Sequence, residues 1–208
     1  MLSDAYFDRF ETKKYRAKNP IQRELIRRFV ARLHALFVAA NPVTRVVEVG
    51  CGEGFLSGFL SERFPDKSFT GIDMAGEDIR LLREKFPRIE AHEGSIYDLG
   101  SLAPPYDLVM CCEVMEHLPD PEKGLDQLVS LGARRYIITV PHEPLFMLSN
   151  LARGKNVSRW GNDPEHVNHW GKSSFKELLS SRLDVISLET SYPWLLALCA
   201  PRGSGAES

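Results

Sequence analysis

The spacing of apolar residues changes along this chain. After Asn19-Pro20, with the asparagine placed to cap a helix and the proline suited to its first turn, Ile21, Leu25, Phe29, Leu33 and Leu36 recur about every four positions. That spacing predicts one amphipathic helix running through Ala40 and stopped by Asn41-Pro42. From Arg45 onward, short β-branched runs alternate with helical stretches. RVVEV reads as a buried strand and Phe55–Arg63 as a helix. SFTGI gives a second strand, residues 76–86 a helix, and RIEAHE a third strand. YDLVMCC is the fourth strand, preceded by the turn Ala103-Pro104-Pro105. A helix over residues 122–131 then leads to RRYIITV, a fifth strand closed by Pro141.

Strands joined by helices of this length imply crossovers, hence a parallel sheet covered on both faces. The C-terminal pair differs. LDVISLETS and WLLALCA are separated only by Tyr192-Pro193, too short for a parallel connection, so they form an antiparallel hairpin. The expected fold is α/β: a doubly wound, mostly parallel, seven-stranded Rossmann-like sheet with a C-terminal antiparallel hairpin and an N-terminal helix. Residues 1–42 read as a helical cap, 43–200 as the main domain and 201–208 as a disordered tail. Residues 143–171 show no clear period and contain Trp160, Trp170, His166 and His169; an irregular stretch of that length in a compact domain is usually functional.

Composition narrows the class. With 208 residues, 43% apolar and 26% charged, the chain is large enough to build a core without disulfides or structural metal. Its 26 basic and 28 acidic residues give a net charge of −2, which argues against nucleic acid as partner. Residues 1–40 are locally basic, nine against four. The arginines between the apolar positions read as a solvated helix face, with a lid or an anionic contact as the alternative. Cys51, Cys111, Cys112 and Cys199 have no zinc-site spacing and fit reduced thiols in a cytoplasm. No run approaches a membrane span or a signal peptide.

The first strand ends in Glu48-Val49-Gly50-Cys51-Gly52-Glu53-Gly54 and a helix follows at once. Glycines there let a ligand approach the backbone at the carboxyl end of a strand. Asp73 closes the second strand, 25 residues after Glu48, where a carboxylate can accept from two ribose hydroxyls. The spacing is G-x-G-x-G, not the G-x-G-x-x-G of dinucleotide sites, and an acidic residue lies beside the loop. That suits an ammonium rather than a phosphate, as S-adenosylmethionine offers.

The segments VVEVGCGEG, GIDMA and YDLVMCCEVMEHLPDP, in this order and spacing, resemble the class I S-adenosylmethionine-dependent methyltransferases over about residues 45–200. The terminal hairpin is similar to theirs as well. The resemblance implies S-adenosyl-L-methionine as cofactor. Glu48, Gly50, Cys51 and Gly52 would lie at its methionine end, with Asp73 on the ribose and Met74 on the adenine. Ser95 or the Ile96 amide would meet the adenine amino group, where many members carry an acidic residue instead. Cys111 would line the methionine side, and Glu113 would stand at the edge of the acceptor pocket.

The acceptor side follows from the chemistry. Methyl transfer is an in-line displacement governed by alignment, and a base is needed only when the acceptor loses a proton. Glu113, His166 and His169 are the candidates, the two histidines sharing one face if their stretch makes a helical turn. Glu116 and His117 read as structural. No metal is expected, and turnover should persist in chelator. The alternative, in which Glu113, Glu116 and His117 join a distal histidine around a divalent cation, looks like the arrangement in small-RNA 3′-end methyltransferases, and ubiquinone-type O-methyltransferases have similar segments. The reading is a cytoplasmic enzyme that methylates a small molecule, on oxygen. RNA or protein methylation, or a non-catalytic cofactor-binding role, is the alternative, and oligomeric state stays open.

Overall fold

A computed structural model describes residues 2–16, 18–143, 145 and 166–203. Seven strands form one sheet in the order β3-β2-β1-β4-β5-β7-β6. They are β1 (Arg45–Val49), β2 (Ser68–Asp73), β3 (Glu90–Glu93), β4 (Leu108–Cys112), β5 (Arg135–Pro141), β6 (Leu183–Ser191) and β7 (Trp194–Pro201). The first five run parallel, with Val47 of β1 opposite Thr70 on one side and Val109 on the other. β7 inserts antiparallel between β5 and β6. The strand order reverses at β1/β4, and an open α/β sheet places its ligand crevice outside the carboxyl ends of the strands at such a point.

The helices are α1 (Asp4–Phe7), α2 (Lys13–Arg16), α3 (Pro20–Ala39), α4 (Phe55–Arg63), α5 (Gly76–Lys85), α6 (Pro121–Ser130) and α7 (Lys172–Ser180). α3 starts as its sequence dictates: Asn19 Oδ1 accepts from the Ile21 and Gln22 amides at 2.9 and 3.2 Å, and Pro20 takes the first turn. Its buried face is Ile26, Phe29, Val30, Leu33, Leu36 and Phe37, whereas Ile21 is 68% exposed. The stripe expected from four-residue spacing is therefore displaced at its start. A 3.6-residue repeat drifts across that spacing, and packing against β5, β6 and β7 selects the face.

Two apolar clusters cover the sheet, one per face. Val46, Leu108 and Met110 belong to one, and Val47, Val49 and Val109 to the other, as alternation along a strand requires. The N-terminal residues are part of the first cluster: Tyr6, Phe7 and Phe10 each lie 4.9–5.6 Å, ring to ring, from Phe55. The tail reading is corrected at its start. Pro201 closes β7, and the Gly203 amide donates to Asp184 Oδ2 at 2.9 Å. Residues 204–208, Trp160 and most of the 143–171 stretch lie outside the described residues.

Candidate functional site

β1 passes into α4 through five residues that turn tightly because three glycines, Gly50, Gly52 and Gly54, hold positive φ that other residues resist. Gly50 has φ +78°, and a Cβ there would lie 2.1 Å from Val114 Cγ2. Gly52 has φ +50°, and a Cβ there would lie 3.8 Å from Asp78 Oδ2. The loop is tied to the end of β2: the Gly50 and Cys51 amides donate to the Ile72 carbonyl at 2.8 and 3.2 Å, and the Gly52 amide donates to Asp73 Oδ2 at 2.8 Å. The other Asp73 oxygen accepts from the Ala75 amide at 2.9 Å. Beyond it Met74 stands 80% exposed. Ser95 Oγ accepts from the Tyr97 amide at 3.2 Å and holds the turn after β3.

These residues open onto one cavity of about 1100 Å³. Gly50, Cys51, Gly52, Asp73 and Met74 line it, and so do Ser95 and Ile96. Glu48 does not. It is 2% exposed behind the loop, where Oε2 accepts from the Ser57 amide at 3.0 Å, one of the free N–H groups in the first turn of α4. Burial pushes its carboxyl up to about 8. Nor does Cys111 line it: Cys111 is fully buried in the cluster on the other face, and Cys112 takes the cavity position.

The opposite wall comes from the segment after β4. Glu113 has φ +60° and is held from two sides, its Oε2 accepting from Trp194 Nε1 and its Oε1 from Thr139 Oγ1. Lys14 Nζ lies 3.7 Å from Glu113 Oε2. Met115–His117 forms a 3-10 turn with Glu116 1% exposed. Burial raises both carboxyls, and at Glu116 the negative charge of Glu113 adds to the effect. His166 lines this wall, its ring 5.1 Å from that of His117. His169 does not line the cavity and is exposed. The helical turn that would align the two histidines is absent, because residues 166–169 take no helical structure and run into a bridge between Trp170 and His142.

The remaining wall is the N-terminal strap, which the sequence reads as a helical cap with a lid as the alternative. Thr12, Lys14 and Tyr15 line the cavity. Tyr15 stacks on Phe55 at 3.7 Å, 4° from parallel. Only the excess of basic residues before position 40 hinted at this. Glu53 anchors the strap from beneath the glycine loop. Its carboxylate accepts from the Glu11 amide and from the amide and hydroxyl of Thr12, and pairs with Lys85.

The sequence and the fold match known proteins. Residues 21–182 fit the model of the methyltransferase domain, and the chain belongs to that family. A ubiquinone biosynthesis O-methyltransferase of Bordetella avium is 29% identical over 157 residues, covering 72% of this chain and 61% of the relative. A trans-aconitate 2-methyltransferase of Azoarcus is 34% identical over 94 residues, 44% of this chain and 36% of that one. The chain thus spans about three fifths or less of the length of these curated relatives. In structure it is similar to the magnesium protoporphyrin IX methyltransferase of Synechocystis PCC 6803 with bound SAH, at a TM-score of 0.70 and 18% identity over 95% of this chain and 94% of that one.

Proposed function

We propose that this protein transfers the methyl group of S-adenosyl-L-methionine to an oxygen of a small molecule. One observation carries the reading: a carboxylate (Asp73) and an exposed apolar side chain (Met74) stand beside a glycine loop at the strand-order reversal, in the same cavity as Glu113 and His166. Asp73 accepts from the ribose hydroxyls, Met74 covers the adenine, and Ser95 and Ile96 border its edge. Gly50, Cys51 and Gly52 pass close to the methionine portion. The four buried free cysteines suit a reducing cytoplasm. Among the described residues, no helix is long and apolar enough to cross a membrane.

In the transfer, a lone pair of the acceptor oxygen forms the new bond to the methyl carbon. The carbon–sulfur bond breaks and its electron pair stays on sulfur, leaving S-adenosylhomocysteine. The hydroxyl proton goes to the acceptor wall, where Glu113 and His166 stand. Most of the rate comes from holding oxygen, carbon and sulfur in line with water excluded, and the Thr12–Tyr15 strap closes that side. The wall residues and the O-methyltransferase among the relatives support oxygen as the acceptor.

Calorimetric titration with S-adenosylmethionine and S-adenosylhomocysteine, followed by a screen of hydroxylated acceptors with labelled cofactor, tests the proposal. Binding of both ligands and label transfer to an oxygen are expected. Absence of binding by either ligand would overturn the cofactor reading, and binding without transfer to any acceptor would overturn catalysis.

A further inference from the structure

The acceptor wall gathers a donor set that methyl transfer by itself does not require. Glu116, His117 and His166 each present one ligand atom, and these atoms lie within 4.8 Å of one another. His166 is 50 positions from Glu116, and the backbone is bonded so as to bring it there. The Val167 and Asn168 amides both donate to the Glu116 carbonyl, at 2.9 and 3.1 Å. Asn168 Nδ2 donates to the carbonyls of Met115 and Leu118 at 3.3 and 2.6 Å. Four hydrogen bonds thus lock the two segments with the His117 and His166 rings side by side.

Glu116 supplies the independent observation. Its side chain is 2% exposed and lines the cavity, yet Oε2 takes no hydrogen bond from any described residue. A buried acceptor left so is costly, and a buried carboxylate is retained only where something positive meets it. Lys14 does not fill that need: its ammonium lies against Glu113.

We propose that Glu116, His117 and His166 bind one divalent first-row transition-metal cation and leave coordination positions open toward the cavity for the acceptor's hydroxyl oxygen. One oxygen and two imidazole nitrogens suit Mn²⁺, Fe²⁺, Co²⁺ or Zn²⁺ better than an ion that demands oxygen alone. Donors around bonds of about 2.1 Å sit about 3–3.5 Å apart, so the side chains close by about an ångström on the ion. The role of the ion, though not its binding, rests on the methyl-transfer reading. A hydroxyl coordinated to a divalent cation loses its proton more readily. The proton passes to Glu113, outside the trio, and the metal-held oxygen attacks the methyl carbon. His166 then acts as a ligand, not as a base, and the preference for a metal-free site is reversed.

The test uses the full chain, stripped with EDTA and desalted, then titrated with MnCl₂ by electron paramagnetic resonance and with ZnCl₂ by calorimetry. One equivalent should bind saturably. Glu116→Gln and His166→Ala should each weaken binding about tenfold or more. His117→Ala, at an exposed ring, should do the same without disturbing the fold, checked by circular dichroism. No saturable binding of either ion at millimolar concentration would overturn the proposal, as would equal affinity in all three variants. S-adenosylmethionine affinity is measured on the same samples. Cofactor binding without metal binding refutes the metal site alone; metal binding without cofactor binding refutes the cofactor reading alone.

Discussion

Thr12 and Glu53 are joined across 41 positions: the carboxylate of Glu53 accepts from the Thr12 amide at 2.6 Å and from its hydroxyl. Glu53 sits inside the glycine loop and Thr12 inside the strap, so one side chain couples the floor of the cavity to its cover. Burial works against the charge of Glu53, but the Lys85 ammonium and the Thr12 hydroxyl outweigh it and hold its carboxyl below the ordinary value.

Glu53→Ala is therefore expected to destabilise the protein by about 3 kcal/mol, since it leaves Lys85 and two backbone amides without their buried acceptor. It should also weaken S-adenosylmethionine binding through the loosened strap. Because the folded carboxyl titrates below the unfolded one, its contribution is present above about pH 4.5 and is lost as pH falls through the depressed folded value. Thermal melts from pH 3 to 7 check this. Wild type and variant should converge in acid, and a constant gap between them would remove Glu53 from the role.

Glu48 titrates in the opposite sense. Its buried carboxyl is raised from 4.5 to about 8, so between those values the folded state holds a proton that the unfolded state has released. Stability then falls with rising pH, by up to about 1.4 kcal/mol per unit across that window. Glu48→Gln keeps an acceptor for the Ser57 amide and removes the titration. Its melting temperature should gain on wild type as pH rises from 5 to 8, whereas parallel curves would contradict the raised carboxyl.

Asp73→Ala is expected to weaken S-adenosylmethionine binding about tenfold or more, because each charge-assisted hydrogen bond to a ribose hydroxyl contributes roughly 1.5–3 kcal/mol. Asp73 also holds the Gly52 and Ala75 amides, so the calorimetry is paired with Asp73→Asn, which retains a neutral acceptor. Both variants should lose affinity. Unchanged affinity in Asp73→Asn would show that the charge takes no part in binding.

The strands, the hairpin and the glycine loop were legible because their signals are local: period, turn residues and spacing. What was not legible depends on long-range packing. α1 and α2 are four residues each, too short to show a period, and Tyr6, Phe7 and Phe10 pack on Phe55 of α4, with Tyr6 and Phe10 also against Phe86 just after α5, all far along the chain. On β4 every residue is buried, so the pattern in LVMCC does not say which face meets the cavity, and Cys112 stands where Cys111 was expected. Glu48 reads in sequence as a loop acid near a ligand. Only the Ser57 amide, nine residues on, reveals it as a support for α4.

The two histidines of the 166–170 stretch, equivalent in sequence, are separated by the fold. His166 stands in the cavity wall beside His117 and behind it lie the Asn168 bonds to the Met115 and Leu118 carbonyls. His169 is exposed and outside that wall. His166→Ala should lower turnover about 10²–10⁴-fold, the range for loss of a group that takes part in moving the acceptor's proton. Affinity for S-adenosylmethionine should stay near wild type, because Asp73, Met74 and the glycine loop lie on the opposite wall. His169→Ala should change turnover far less. Rate profiles over pH 6–9 for both variants against one acceptor decide the matter. Equal losses in the two would mean that the stretch acts as a unit and that its placement against Met115–His117, not the His166 ring, sets the rate.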